Sequence, residues 1–148
     1  MAENKPQVIK NRKATHEFEI LERLTAGIQL AGTEIKSIRQ GKVNFADSFC
    51  FFRDGELWIK NLHISEYEQG NIYNHEPKRE RKLLLTKREL RKLEQKKQEK
   101  GRTIIPLKIF FQRGYAKMEI GLARGKKLYD KRASLKEKDL KREMARDM

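Results

Sequence analysis

One cysteine, Cys50, stands in 148 residues, so no disulfide can close within the chain and no set of thiols sits at metal-ligand spacing. The fold must rest on packing. No apolar run approaches the ~20 residues a membrane-spanning helix needs. Charged residues make up 38% of the chain, and mean hydropathy is −0.87. The expectation is a protein free in the cytoplasm, because the first residues also lack the apolar stretch and cleavage site of a secretory signal. Catalytic signatures are missing too: His16, His63 and His75 are the histidines, and there is no HExxH, GxSxG, Walker loop or Cys-x-x-Cys. Cys50 alternates within an aromatic strand pattern and reads as a buried, inert thiol. Neither a metal nor a cofactor is expected. Asp47, Asp54 and Glu56 straddle a predicted hairpin and leave a metal-dependent nuclease open as a competing class.

Acidic residues are scarce beside basic ones, 21 against 35, for a net charge of +14. Residues 78–102 hold twelve basic and four acidic side chains, 125–148 nine and five, and 1–13 four and one. Those three segments carry +15, so the other 86 residues sum to −1. A nearly neutral body with basic segments suits a polyanion, and nucleic acid leads the candidates. Mixed charge runs are more commonly solvated helix faces, but this excess is too one-sided for that alone.

Period-2 patterns dominate the neutral part. Residues 16–24 set Phe18 and Ile20 against Glu17 and Glu19, the alternation of a half-buried strand, and Ile28 and Leu30 repeat it after Gly27. Residues 49–52 and 57–64 flank Asp54-Gly55, a hairpin dipeptide. A second hairpin is predicted from 104–111 and 115–123 around Gln112-Arg113-Gly114, with Pro106 at an edge or a bulge. One short helix is expected from near Thr33 to Gly41, with Lys36 and Arg39 outward. Another starts near Lys87 behind a capping box, Thr86 to Glu89, and buries only Leu90 and Leu93. Leu83 to Leu85 reads as core and staple. Five or six short antiparallel strands with one inserted and one capping helix fit a mainly β, OB-fold-like antiparallel β-barrel, because closure removes exposed edges. The expected division is a basic N-terminal arm (1–13), the barrel (14–124) and a basic C-terminal tail (125–148).

Five stretches, in order, carry a resemblance. They are Asn11-Arg-Lys-Ala-Thr-His-Glu-Phe-Glu-Ile20, Gly27-Ile-Gln-Leu-Ala-Gly-Thr-Glu-Ile-Lys-Ser-Ile-Arg39, Asp47-Ser-Phe49, Arg81-Lys-Leu-Leu-Leu85 and Gly121-Leu-Ala-Arg-Gly-Lys-Lys-Leu-Tyr-Asp-Lys-Arg132. Together they resemble the SsrA-binding protein family, small protein B, over nearly the whole chain. The resemblance implies an OB fold that binds the tRNA-like domain of transfer-messenger RNA and brings it to stalled ribosomes for trans-translation. It further implies a tail reaching the decoding centre and mRNA path, and action beside the elongation factor that carries aminoacylated RNA. Many members carry an acidic residue where Thr25 stands, and histidine where Tyr129 stands.

Arg12, Lys13, Lys36, Arg39, Arg79, Arg81 and Lys82 can neutralise phosphates, and Asn11 can meet a ribose or base edge. The resemblance places Asn11 to Lys13 and the helix from Glu34 to Arg39 near the RNA. Asn11 could equally cap a turn. Glu34 cannot bind phosphate; it orients a neighbouring cation, accepts from a base amino group, or is a first-turn acid favoured by the helix dipole. In the tail, Lys126, Lys127, Tyr129, Asp130, Lys131 and Arg132 interleave cations with one aromatic, which suits backbone pairing plus stacking on a base. Beyond it, Leu140, Met144 and Met148 form too narrow a stripe to order a helix alone, so the tail is expected to be disordered when free and helical on the ribosome. A generic basic OB-fold or ribosome-associated protein is the remaining alternative.

Overall fold

The computed structural model of the protein describes residues 8–125, and the expectations for the tail lie outside those residues. The chain runs β1 (Val8–Lys10), α1 (Ala14–Glu17), β2 (Phe18–Ile28), α2 (Gly32–Arg39), β3 (Val43–Asn44), β4 (Phe49–Arg53), β5 (Glu56–Lys60), β6 (His63–Ile64), a 3-10 helix (Glu68–Tyr73), β7 (Arg81–Leu84), α3 (Lys87–Lys97), β8 (Arg102–Gln112) and β9 (Tyr115–Gly125). Seven strands form one antiparallel sheet in the order β1-β8-β4-β5-β7-β2-β9, and β9 pairs again with β8. The sheet nearly closes into a ring whose thinnest seam is Cys50 opposite Ile104. Among the described residues the fold is thus mainly β, with three α-helices and the one 3-10 helix. Among the described residues no helix is long and apolar enough to cross a membrane.

Both predicted hairpins form, and each turns on two residues with positive φ, the twist that matches paired strands. Asp54 (φ 52°) and Gly55 (φ 77°) join β4 to β5; Arg113 (φ 52°) and Gly114 (φ 81°) join β8 to β9. Pro106 stands at a register shift in β8, between Pro106 and Lys108, where its missing N–H breaks no regular ladder. A second shift lies in β2 between Ile20 and Glu22. An extra residue reverses which face of the sheet the following side chains occupy. Hence Leu24, Ala26 and Ile28 enter the main core with Ile104, Ile109, Met118 and Ile120. Phe18 and Ile20, on the other side of the shift, pack in a separate cluster with Ala14, Ile105, Leu107 and Ala123.

The structure departs from the sequence pattern at five places. The strand expected over 57–64 breaks at Asn61 (φ 64°) into β5 and β6, and β6 leaves the main sheet to pair with β3. The strand expected from His16 starts at Phe18, because the preceding residues wind into α1 to bury Ala14. Gly27 does not interrupt β2: it pairs with both Leu84 and Lys117. A Cβ there would lie 3.2 Å from that of Leu84, so the bare backbone lets β7 come close. Part of the predicted arm is a strand, β1 along β8, with Ile9 opposite Ile109. Leu84 is 49% exposed rather than core, since alternation along β7 buries Arg81 and Leu83 instead.

The signals expected at the end of α2 and at the start of α3 hold, whereas α2 begins at Gly32, with Ala31 rather than a hydroxyl residue at its N-cap. Gly41 (φ 73°) follows α2. At α3 the Thr86 hydroxyl accepts from Glu89 N–H at 3.1 Å while the Glu89 carboxylate accepts from Thr86 N–H at 3.0 Å. Leu90 and Leu93 fasten α3 to the main core.

Candidate nucleic-acid interface

Alternation along β7 puts Arg81 on the same face as Leu83, and helical spacing puts Glu34 on the same face as Ser37 and Ile38. The two charged side chains therefore meet inside the protein, both 0% exposed. Arg81 Nε donates to Glu34 Oε2, while its other nitrogens donate to the Leu62 carbonyl at 2.7 Å and the Pro77 carbonyl at 3.0 Å. Arg79 Nε donates to the same Glu34 Oε2 at 3.1 Å, and Ala31 N–H donates to Oε1 at 2.8 Å. Burial alone would raise the Glu34 carboxyl. The hydrogen bonds from Arg79 and Ala31, and the charge and hydrogen bond of Arg81, outweigh that and hold it below its usual range. Glu34 thus orients two arginines.

Arg81 corrects its expected role, because a guanidinium with no exposed surface and every side occupied cannot reach a phosphate. Arg79 differs: its side chain is 37% exposed, so it is clamped by Glu34 and by the Gln29 carbonyl at 3.3 Å yet still faces water. Lys36 and Arg39 lie on the exposed side of α2, as expected. The Lys36 ammonium stands 5.3 Å from the centre of the Tyr67 ring, and the Arg39 guanidinium 4.3 Å from that of Phe111. These contacts fix long side chains over rings without neutralising them. Lys82, on the outer face of β7, turns toward Glu56 at 3.8 Å rather than toward either arginine.

Asn11, Arg12 and Lys13 occupy the turn from β1 into α1. The Asn11 backbone N–H and side-chain amide donate to the Leu107 and Pro106 carbonyls, both at 2.8 Å, which ties the turn to the shifted part of β8. Arg12 and Lys13 are exposed there. The turn borders a cleft of about 660 Å³ whose far wall includes Asn44, Asp47 and the half-exposed Phe49. A second groove along Val8, Lys10 and Arg12 reaches Gly41, just past α2.

Sequence reasoning missed the polar clamp beneath α2. Ile64 O can only accept, so His75 Nε2 donates to it at 2.8 Å, leaving Nδ1 to accept from the Thr33 hydroxyl at 2.9 Å in the neutral ring. Ser37 Oγ donates to the Ser65 carbonyl at 2.6 Å. No local spacing announces these pairs; the parity of Arg81 with Leu83 was the one available signal. Cys50 is 1% exposed and burial pushes its thiol far up, the condition of an unreactive group. Asp47, Asp54 and Glu56 do not assemble into a group that could hold a metal ion among the described residues.

Comparison with known proteins gives the same direction. Residues 8–148 match the family described as SmpB protein. The SsrA-binding protein of Carboxydothermus hydrogenoformans is 57% identical over 137 residues, 93% of this chain and 92% of that one. That of Ligilactobacillus salivarius is 50% identical over 151 residues, covering 100% and 97%. A chain solved under the heading "tmRNA-SmpB: a journey to the center of the bacterial ribosome" is 57% identical with a TM-score of 0.70, covering 80% of this chain and 84% of its own. With half or more of its residues shared along almost its whole length, and the same fold beneath them, the chain belongs to the SmpB family.

Proposed function

We propose that this protein binds the tRNA-like domain of transfer-messenger RNA and delivers it to stalled ribosomes for trans-translation. The observation that carries the reading is full-length membership of a family whose relatives are SsrA-binding proteins, one of them solved with tmRNA named beside it. The nearly closed sheet is read as an OB-like barrel, a fold whose faces and loops take irregular RNA. Asn11, Arg12 and Lys13 in the turn before α1, together with Lys36, Arg39 and Arg79, form the RNA face, with Lys82 at its margin. Glu34 and Arg81 hold that face from beneath. Lys126, Lys127, Tyr129, Asp130, Lys131 and Arg132 supply the contact with the decoding centre and mRNA path. The protein acts in the cytoplasm beside the elongation factor that carries aminoacylated RNA.

Filter binding of the tRNA-like RNA across a salt series tests the reading. Replacing Arg12, Lys36 and Arg39 together by Ala should weaken binding while the protein still melts cooperatively, at a temperature lowered only by the loss of the two ring contacts, and should flatten the salt dependence by roughly 0.7 to 0.9 for each phosphate no longer neutralised. Unchanged affinity and slope would remove the RNA face from this surface.

A further inference from the structure

Helix α3 carries cations that the proposed RNA face does not use. Lys87 to Lys97 hold six basic and two acidic residues, and Glu89 is engaged in the N-terminal cap. At 100° per residue Arg88, Arg91, Lys92 and Gln95 fall on one stripe, opposite Leu90 and Leu93, which fasten the helix to the core. The stripe spans about 10 Å along the axis. An open groove of about 710 Å³ runs between Lys87, Arg88, Arg91, Lys92 and Gln95, with Glu94 as its one carboxylate.

Three features separate this stripe from an ordinary solvated face. Among the described residues, the α3 side chain held in an ion pair is Lys96, by Glu22, and no carboxylate holds Lys87, Arg88, Arg91 or Lys92. Lys87 and Arg88 stand in the first turn, where the positive end of the helix dipole disfavours cations and a helix arranged for stability alone would carry acids. Finally, α3 leaves β7 at the end opposite the Glu34–Arg81 pair and runs past Glu22 toward Arg102, which donates to the Lys96 carbonyl at 3.2 Å. Arg39, by contrast, rests on Phe111, at the far end of β8 from Arg102. The α3 stripe is not an extension of the α2 face.

We infer that the outward face of α3 is a second RNA-docking surface, which binds the phosphate backbone of a double-stranded segment of ribosomal RNA. The partner follows from the chemistry. The stripe and its groove offer four cations, Lys87, Arg88, Arg91 and Lys92, and no aromatic ring, so they have charge for phosphates and nothing on which to stack an unpaired base. That selects a duplex, whose bases are hidden. Ribosomal RNA follows because the other face is already assigned to the tRNA-like RNA, so the inference rests on the proposed function.

The experiment compares the full-length protein with its Arg88→Gln, Arg91→Gln, Lys92→Gln variant on two probes, purified ribosomes and the isolated tRNA-like RNA, over a salt series. The variant should melt as the parent does and bind the tRNA-like RNA unchanged. On ribosomes it should bind more weakly, with a salt slope smaller by about 2 to 3 because three phosphates go unneutralised. A charge-matched control, Lys60→Gln, Arg113→Asn, Lys117→Gln, should leave ribosome binding close to the parent's. An unchanged ribosome slope overturns the inference, as does an equal loss on the isolated RNA or in the control. Weaker ribosome binding with an unchanged slope would mean a protein partner, and overturns it as well. If the parent fails on the tRNA-like RNA, the proposed function falls, and the ribosome arm still decides the role of α3.

Discussion

Glu34 sits with donors on both oxygens and no exposed surface, opposite an arginine equally enclosed. A buried pair of this kind adds little stability relative to a well-packed apolar pair, but breaking it strands a charge. Glu34→Gln keeps the shape and removes the charge, leaving Arg81 held by carbonyls alone. The expected loss is about 3 to 5 kcal/mol, measured as a lower urea midpoint. The acid dependence should change as well. Because the folded carboxyl is held below its ordinary value near 4.5, the pair's contribution is complete above that pH and is lost as pH falls through the lower folded value. The gap between parent and variant should therefore shrink on acidification below about pH 4.5; a gap constant to low pH would show that Glu34 does not titrate with this linkage. Arg81→Lys should rescue poorly, since a single ammonium cannot reach Glu34, Leu62 and Pro77 in the directions the guanidinium does.

Elements with local signals were legible in the chain; elements made by distant contacts were not. Asp54-Gly55 and Arg113-Gly114 marked both hairpins because positive φ is a property of the turn residues themselves. Thr86 and Glu89 announced α3 because a capping box closes within one turn. The strand β1 was hidden, since three residues reveal no period and its partner lies about a hundred positions away. The exposed cations Lys36, Arg39, Arg12 and Lys13 were legible as a set, while Arg81 was misplaced because its basic character masked the parity it shares with Leu83. The register shifts in β2 and β8 were equally hidden, although Pro106 marked one of them, and they create the second cluster. There Gly121 is packed closely: a Cβ would meet Leu107 Cδ1 at 3.0 Å and Ile20 Cγ2 at 3.1 Å. Gly121→Val should lower stability by about 1 to 3 kcal/mol through overpacking. A urea midpoint equal to the parent's would mean that Leu107 and Ile20 yield without strain.

For the whole molecule, residues 8–125 carry a net +10 and residues 126–148 a net +4 of the total +14, and the two halves of the proposed mechanism divide along the same boundary. A body that binds RNA does not by itself explain recognition of a stalled ribosome. The tail adds a distinct combination of cations with Tyr129. The boundary for removing it follows from pairing: β9 continues to Gly125, which lies opposite Phe18, and Arg124 lies opposite both Glu19 and Arg102. A cut after Ala123, where the apolar alternation of the last strand ends, would remove two paired residues, whereas a cut after Gly125 leaves the sheet whole. Truncation after Gly125 should accordingly preserve melting and binding to the tRNA-like RNA, while tagging of nascent chains on stalled ribosomes fails. Tyr129→Ala should reproduce part of that defect, by about 1 to 3 kcal/mol where the ring stacks on a base, and Tyr129→His should be milder because a flat ring remains. Reconstituted trans-translation with each protein checks this. Full tagging by the truncated chain would make the tail a passive extension and leave the work on the ribosome to the folded body, including the cationic face of α3.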